Sequence, residues 1–288
     1  MKRRLPFWFK QSLPDENVAD ILKLIKELKL NTICISGHCP NINKCFKNKT
    51  LTFLILGDIC SRDCKFCAVK KGSFYYSEEK LEDEPKKIKE AVERLGLDFV
   101  VITSVSRDDL IDKGASHFLK VVEAIRSIGS NIKIELLIPD FLGDRILLKK
   151  VIESKPDVIA HNLEIPEPLY KKIKPQSNYR RSLSVLSMIK EIKPTIITKS
   201  SLILGLGETE QDVFRTVEDL ANVNVDILTL GQYLSPSQDH YPVKEFLSLE
   251  KFAFYREVAL KKGIKVVASG PLVRSSFESK QLYQQFLS

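Results

Sequence analysis

Cysteine is absent from residues 1–33 and again from 68–288, so the six that occur, at 34, 39, 45, 60, 64 and 67, crowd into one short stretch. No run approaches the roughly 18 uncharged apolar residues that cross a bilayer. The basic start Met1-Lys2-Arg3-Arg4 leads to Pro6 and Lys10 instead of an apolar segment, so neither a membrane span nor a secretory signal is expected. Internal repeats, linkers and low-complexity tracts are also missing, which excludes fibrous and solenoid classes. Histidine is scarce, four residues in all, and only His38 stands near a cysteine.

What is present suits a globular protein: 288 residues, 43% hydrophobic and 28% charged, with ample apolar side chain for a core. That length admits two domains or a single α/β barrel. The net charge is +8, and residues 1–50 hold ten Lys/Arg against four Asp/Glu. Such a bias attracts nucleic acid, acidic protein or an anionic cofactor without choosing among them, and a solvated surface accounts for it equally well.

Hydrophobic periodicity alternates along the chain. A first helix is expected over residues 15–30, with Val18, Ile21, Leu22, Ile25 and Leu28 on one face and a capping box at Ser12 and Asp15. Apolar runs of strand length follow at Thr52–Leu56, Phe99–Thr103, Ile132–Ile138, Asp157–His161, Ile196–Leu204 and Asp226–Leu230, with a weaker seventh at Ile264–Ala268. Amphipathic stretches separate them. Gly96, Gly129 and Gly263 are the expected helix ends, and Thr209 with Asp212, then Ser248, the expected starts. His117 and Asp112 read as helix-surface residues, and His240 as a loop residue without a role. Strands that are apolar throughout indicate a parallel sheet covered by helices, whose chemistry gathers at the strands' C-terminal ends. Thr103-Ser104, Pro139-Asp140, His161-Asn162 with Glu164, and Gly205 to Glu208 all fall there.

Six clustered thiols in a chain with its own core point to metal binding in a reducing compartment, and hence to a cytoplasmic protein, rather than to a disulfide framework. The second triplet, Cys60-Ser-Arg-Asp-Cys64-Lys-Phe-Cys67, follows the first strand directly. A loop so compact can wrap three corners of a cubic iron–sulfur cluster and leave the fourth iron open to a small chelating molecule. A three-thiol zinc site completed by His38 is the alternative. The first triplet, Cys34, Cys39 and Cys45, has gaps of four and five residues broken by Gly37 and Pro40, and implies a second cluster that is again one ligand short.

The second triplet's spacing after a first strand resembles the radical S-adenosylmethionine (SAM) superfamily, which implies a partial (β/α)6 TIM-type barrel. Longer motifs narrow this. Cys39-Pro-Asn-Ile-x-x-Cys45, Phe53-Leu-Ile-Leu-Gly-Asp58, Thr103-Ser-Val-x-Arg-Asp-Asp-Leu110, Ile138-Pro-Asp-Phe141, His161-Asn-Leu-Glu164, Gly205-Leu-Gly-Glu208, Gly231-Gln-Tyr-Leu-x-Pro236 and Pro271-Leu-Val-Arg-Ser-Ser276 together resemble the lipoyl synthase family, from about Lys10 to Phe277. Two departures are visible: Phe277 replaces the tyrosine usual after the arginine-serine-serine motif, and Ile165-Pro166 replaces threonine-valine.

The resemblance implies three regions: residues 1–50 carrying the auxiliary-cluster cysteines, 51–262 as the barrel and 263–288 as an extension with the arginine-serine-serine motif. It implies insertion of two sulfur atoms into C6 and C8 of an octanoyl-lysine held by a carrier protein, such as an E2 subunit of a 2-oxo acid dehydrogenase or the glycine cleavage H protein. An electron donor is required, and neither nucleic acid nor membrane is an expected partner. Two 4Fe-4S clusters are implied: one held by Cys60, Cys64 and Cys67 that binds and cleaves SAM, and a sacrificial one held by Cys34, Cys39, Cys45 and Ser276, with Ser275 as the second choice for the serine ligand. Phe66, Thr103, Ser104, Asn162, Glu164 and Lys199 are the candidate SAM contacts. Two other functions compete. A tRNA methylthiotransferase also uses two clusters, but its class resembles longer chains with an appended RNA-binding barrel. A non-catalytic zinc module would be colourless.

Overall fold

A computed structural model describes residues 6–9, 14, 16–72 and 81–288. The capping box at Ser12 and Asp15 and the basic start at residues 1–4 lie outside them. Seven parallel strands form one sheet in chain order: β1 (Thr52–Ile55), β4 (Phe99–Ser104), β5 (Lys133–Leu137), β6 (Val158–Ala160), β7 (Ile197–Leu204), β8 (Ile227–Gln232) and β9 (Val266–Gly270). Each of the six expected runs lies within two residues of its strand. The seventh is shifted two residues onward, and it joins the sheet beside β8 although it falls in the stretch 263–288. A second ladder, β2 (Ile59–Cys60) with β3 (Lys70–Lys71), has too few residues to show in hydrophobic periodicity.

The strands are buried on both faces because helices cover the outside and side chains of several strands turn toward one interior. Leu54 of β1, Thr103 of β4, Leu137 of β5, Ser201 of β7 and Gln232 of β8 all border two adjoining cavities, so the sheet curls around a common space as a partial barrel does. Helices α1 (Glu16–Leu28), α2 (Ile33–Ser36) and α3 (Ile42–Lys47) precede the sheet. The covering helices include α4 (Glu84–Leu95), α5 (Ala115–Arg126), α6 (Arg145–Glu153), α7 (Tyr170–Ile173), α8 (Tyr179–Ile192), α9 (Glu210–Asn222) and α10 (Leu249–Lys261), and α11 (Ser279–Leu287) closes the lower end.

Local chemistry sets the helix boundaries. Thr209 and Asp212 form a capping box at α9, the Ser248 hydroxyl accepts from the Lys251 amide at α10, and Gly96 ends α4 in the left-handed conformation. Gly129 does not end α5. That helix stops at Arg126 with Ser127 as its cap, whose amide donates to Glu123 O, and the Arg126 guanidinium lies 2.9 Å from the Asp157 carboxylate. In α1 the buried face is Val18, Ile21, Leu24, Ile25 and Leu28, whereas Leu22 is 41% exposed. At about 100° per residue, Leu22 lies roughly a quarter-turn off the stripe centred on Ile21 and Leu24 falls within it. His117 is buried rather than on the surface, its Nε2 2.6 Å from Glu84 Oε2, while Asp112 accepts from the Gly114 and Ser116 amides at the start of α5.

Gly231 in β8 has a steric reason. A Cβ there would collide with the Val273 carbonyl, so glycine lets the C-terminal segment lie directly on the strand.

Candidate active site

Cys60 ends β2, and the two-residue pairing of β2 with β3 pinches the base of the loop that carries Cys64 and Cys67. The loop is fastened on several sides. Ser61 donates from its amide and its hydroxyl to the Ser106 carbonyl at 3.0 and 2.9 Å, and the Lys65 amide donates to Ile173 O at 2.9 Å. Arg62, between the first two cysteines, donates to both Asp108 oxygens (2.6 and 2.9 Å) and to Asp140 (2.6 Å). Burial works against the charge of Asp140, yet hydrogen bonds from Arg62 overcome it and hold that carboxyl well below the usual carboxylate range. His240, without a role in the sequence, sits with Nε2 3.2 Å from the Cys67 carbonyl and Nδ1 2.8 Å from Ser237 Oγ.

The first triplet is held by helices. Cys34 lies in α2, capped by the Thr32 hydroxyl, Cys39 follows the turn at Gly37-His38, and Cys45 lies in α3 next to the fully buried Phe46. The N- and C-terminal segments meet over the rim: Asn41 donates to Leu272 O at 2.6 Å, and Lys44 pairs with Glu278 at 2.9 Å while lying 4.6 Å from the Phe277 ring centre. The ring at 277 thus supplies the stacking face without a phenolic hydroxyl.

Two cavities share a wall that includes Phe66, Cys67, Asn162 and Glu164, with Ile33 and Leu137. One, of 190 Å³, is bordered by Cys60, Cys64 and Cys67 together with Thr103, Ser104, His161 and Lys174. The other, of 390 Å³, is bordered by Cys34 and Cys39 with Arg274, Ser275 and Ser276. Ser275 donates to Asn162 Oδ1 at 3.0 Å, and Ser276 Oγ accepts from the Thr52 hydroxyl at 2.9 Å.

Burial pushes the thiols of Cys34 and Cys67 up to about 12 and that of Cys45 to about 11, and Cys39 and Cys64 rise for the same reason. Each is further raised by a neighbouring thiolate or, for Cys39, opposed by Arg274. Thiols raised in this way stay protonated until a cationic group takes the place of the proton, so metal binding there releases protons. Among the described residues no three His, Cys, Asp or Glu side chains are placed to hold a single metal ion. Soft thiols in threes fit iron–sulfur clusters; all three of the second set, and Cys34 and Cys39 of the first, border a cavity.

Of the expected SAM contacts, five border the cleft. The Thr103 hydroxyl donates to Leu137 O at 3.1 Å, which spends it on bridging β4 and β5. Ser104 Oγ is buried without a partner. Asn162 donates to Glu164 Oε1 at 2.9 Å, and Glu164 has the left-handed backbone (φ 69°) that a non-glycine residue adopts only when its surroundings impose it. Burial raises the Glu164 carboxyl, against the pull of nearby Lys174. Lys199 is not brought to the cleft. It is fully buried lower in the barrel against Glu135 and Ser279, so its charge is spent inside the protein.

The sequence pointed to neither Arg62 nor Lys174. Lys174 Nζ is buried, donates to Leu163 O at 3.1 Å and lies 5.0 Å from the Tyr170 ring centre. Nothing local marks it, since its partners come from folding.

His161 faces the smaller cavity with Nε2 unpaired, and its Nδ1 lies 2.9 Å from Ile138 O, which fixes the proton on Nδ1. Burial lowers its pKa from 6.5 to about 4. Because the folded state disfavours protonation, its contribution to stability is complete above about pH 6.5 and is lost as pH falls toward 4. The loss at pH 5 amounts to about 2 kcal/mol. Denaturant titrations of the metal-free protein at pH 7.5 and 5.0 should show that loss and His161→Gln should lack it; equal pH dependence in both proteins refutes the assignment.

The fold and the cysteine loop together define a radical SAM protein: the Radical SAM superfamily matches residues 54–220. A solved structure of methylornithine synthase has the same fold, with a TM-score of 0.55 at 14% identity over 82% of this chain and 80% of that one. A lipoyl synthase of Caldicellulosiruptor bescii is 50% identical over 273 residues, covering 94% of this chain and 93% of that protein. Another, of Caldanaerobacter subterraneus subsp. tengcongensis, is 45% identical, with 97% of both chains covered. The chain belongs to the lipoyl synthase family, whose members are radical SAM sulfur-inserting enzymes. That likeness over nearly the whole chain sets aside the methylthiotransferase and zinc-module readings.

Proposed function

We propose that this lipoyl synthase inserts two sulfur atoms at C6 and C8 of a carrier-bound octanoyl-lysine, with Cys60, Cys64 and Cys67 holding a SAM-binding 4Fe-4S cluster and Cys34, Cys39, Cys45 and Ser276 holding a second. The observation that carries this reading is the shared wall of Phe66, Cys67, Asn162 and Glu164 between the two cysteine-bordered cavities. When bound, these cofactors supply the electron that cleaves SAM and the sulfur that is inserted, chemistry beyond any side chain here.

The chain's own residues bind, orient and exclude. Ser104 Oγ and His161 Nε2 are an unpaired hydroxyl and an unpaired acceptor for a polar ligand in the smaller cavity. Lys174 supplies a buried positive charge there: burial opposes that charge, but the neighbouring Tyr170, Cys64 and Glu164 side chains favour it and raise its pKa. Phe66 and Ile33 border both cavities and present apolar surface to an acyl chain. The larger cavity's mouth is where a carrier's modified lysine enters. E2 subunits and the glycine cleavage H protein are the carriers, and a separate electron donor serves the reaction. Free thiols throughout suit a reducing, cytoplasmic setting.

The test is direct. Protein reconstituted without oxygen should be brown and, given SAM, reductant and an octanoyl-lysine peptide, should yield a product heavier by two sulfur atoms in place of two hydrogens. A colourless zinc-loaded protein, or a peptide of unchanged mass beside rapid 5′-deoxyadenosine formation, refutes it.

A further inference from the structure

Lys199 lies on the same face of β7 as Ser201 and Ile203, which border the larger cavity, but nearer the strand's start, roughly 7 Å below Ser201 at 3.3 Å per residue. Its Nζ donates to both Glu135 oxygens at 2.9 and 3.1 Å and to Ser279 Oγ at 2.8 Å. The Ser279 hydroxyl in turn donates to Glu135 Oε1 at 3.3 Å. All three groups are buried. Ser279 is the first residue of α11, whose Leu282, Tyr283 and Phe286 pack against Val158, Ile197, Ile227 and Val266 at the barrel's lower end.

The C-terminal segment therefore runs from the rim into the barrel interior, and only two residues separate Ser276 at the cavity from Ser279 on the ion pair. Between them Glu278 has a left-handed backbone (φ 52°) and caps nothing with its side chain, a conformation that persists only where both flanks are fixed. Lys44 fixes one side through Glu278 and Phe277. A buried ion pair is poor evidence of added stability, since apolar residues of like volume serve as well; its best-attested use is to admit one register and reject others.

We propose that Lys199 and Glu135, acting through Ser279, are positioning residues that set the register of residues 276–279 and so aim Ser276 Oγ at the cavity bordered by Cys34 and Cys39. This rests on the reading of Ser276 as a cluster ligand.

Ser279→Ala tests it while leaving the Lys199–Glu135 pair intact. In the metal-free variant, amide hydrogen exchange over residues 272–279 should quicken while the strands stay protected. In the loaded enzyme, sulfur insertion should fall about tenfold, as when a partner behind a metal ligand is lost, with 5′-deoxyadenosine formation unchanged. Combined with alanine at Cys60, Cys64 and Cys67, so that only the second cluster remains, the variant should reproduce the Mössbauer change caused by Ser276→Ala. Unchanged exchange and insertion overturn the proposal, as does an equal fall in insertion and SAM cleavage, which marks general loosening. If Ser276→Ala alters spectrum and insertion but Ser279→Ala alters neither, the positioning role fails alone. If Ser276→Ala itself alters neither, the ligand reading on which it rests has failed.

Discussion

Alanine at Cys60, Cys64 or Cys67 will stop 5′-deoxyadenosine formation, by at least about a hundredfold, while leaving the other cluster in place. Loss of a partner behind a metal ligand already costs 10–100-fold, and here one of the three proposed ligands goes, with no other cysteine along the 190 Å³ cavity to replace it. The three variants should behave alike, because the loop's fastening does not depend on sulfur: Ser61, Arg62 and Lys65 anchor it to Ser106, Asp108 and Ile173. On the two-cluster reading proposed above, iron content should fall by about half, since four of eight irons would leave with one 4Fe-4S cluster. Alanine at Cys34, Cys39 or Cys45 should do the reverse, sparing SAM cleavage and ending sulfur insertion. SAM cleavage at the wild-type rate by any variant of Cys60, Cys64 or Cys67 would remove that loop from the chemistry.

Much of this site was legible because its chemistry is local in sequence. Thiols three and two residues apart after an apolar strand can be found by counting, and parallel strands covered on both sides contain unbroken apolar runs, such as Phe53 to Leu56 and Val100 to Ile102. What sequence reasoning missed depends on depth and on distant partners. Lys199, expected as a SAM contact, lies on the cavity-facing side of β7 but in a lower layer, and a period of two gives orientation and not height. Arg62 finds Asp140 78 residues away, and Lys174, at the end of α7, finds the carbonyl of Leu163 eleven residues before it. Leu22 failed for a different reason: a short amphipathic helix admits a stripe drawn slightly off-centre, and only packing decides which edge is wet.

Ser276 should prove to be a ligand chosen for release. A serine oxygen is a hard donor beside soft thiolates and holds iron weakly, which suits a cluster that gives up its sulfur. The Thr52 hydroxyl donates to Ser276 Oγ at 2.9 Å, and such a bond favours the deprotonated oxygen that would bind metal. Thr52 also bonds through its backbone to Cys34, lowering a thiol that burial otherwise raises, so one residue orients two donors of one site. Ser275 is engaged elsewhere, on Asn162. Ser276→Ala should therefore cut sulfur insertion by about 10–100-fold, speed loss of iron from the second cluster, and leave SAM cleavage at the wild-type rate. Ser276→Cys should separate affinity from turnover: iron is retained longer, yet insertion slows, because the thiolate resists release. Mass spectrometry of the octanoyl peptide and iron release to a chelator read both effects. Faster insertion by Ser276→Cys, or wild-type turnover by Ser276→Ala, would mean that the oxygen is no ligand and that Ser276 serves only to close the turn onto Thr52.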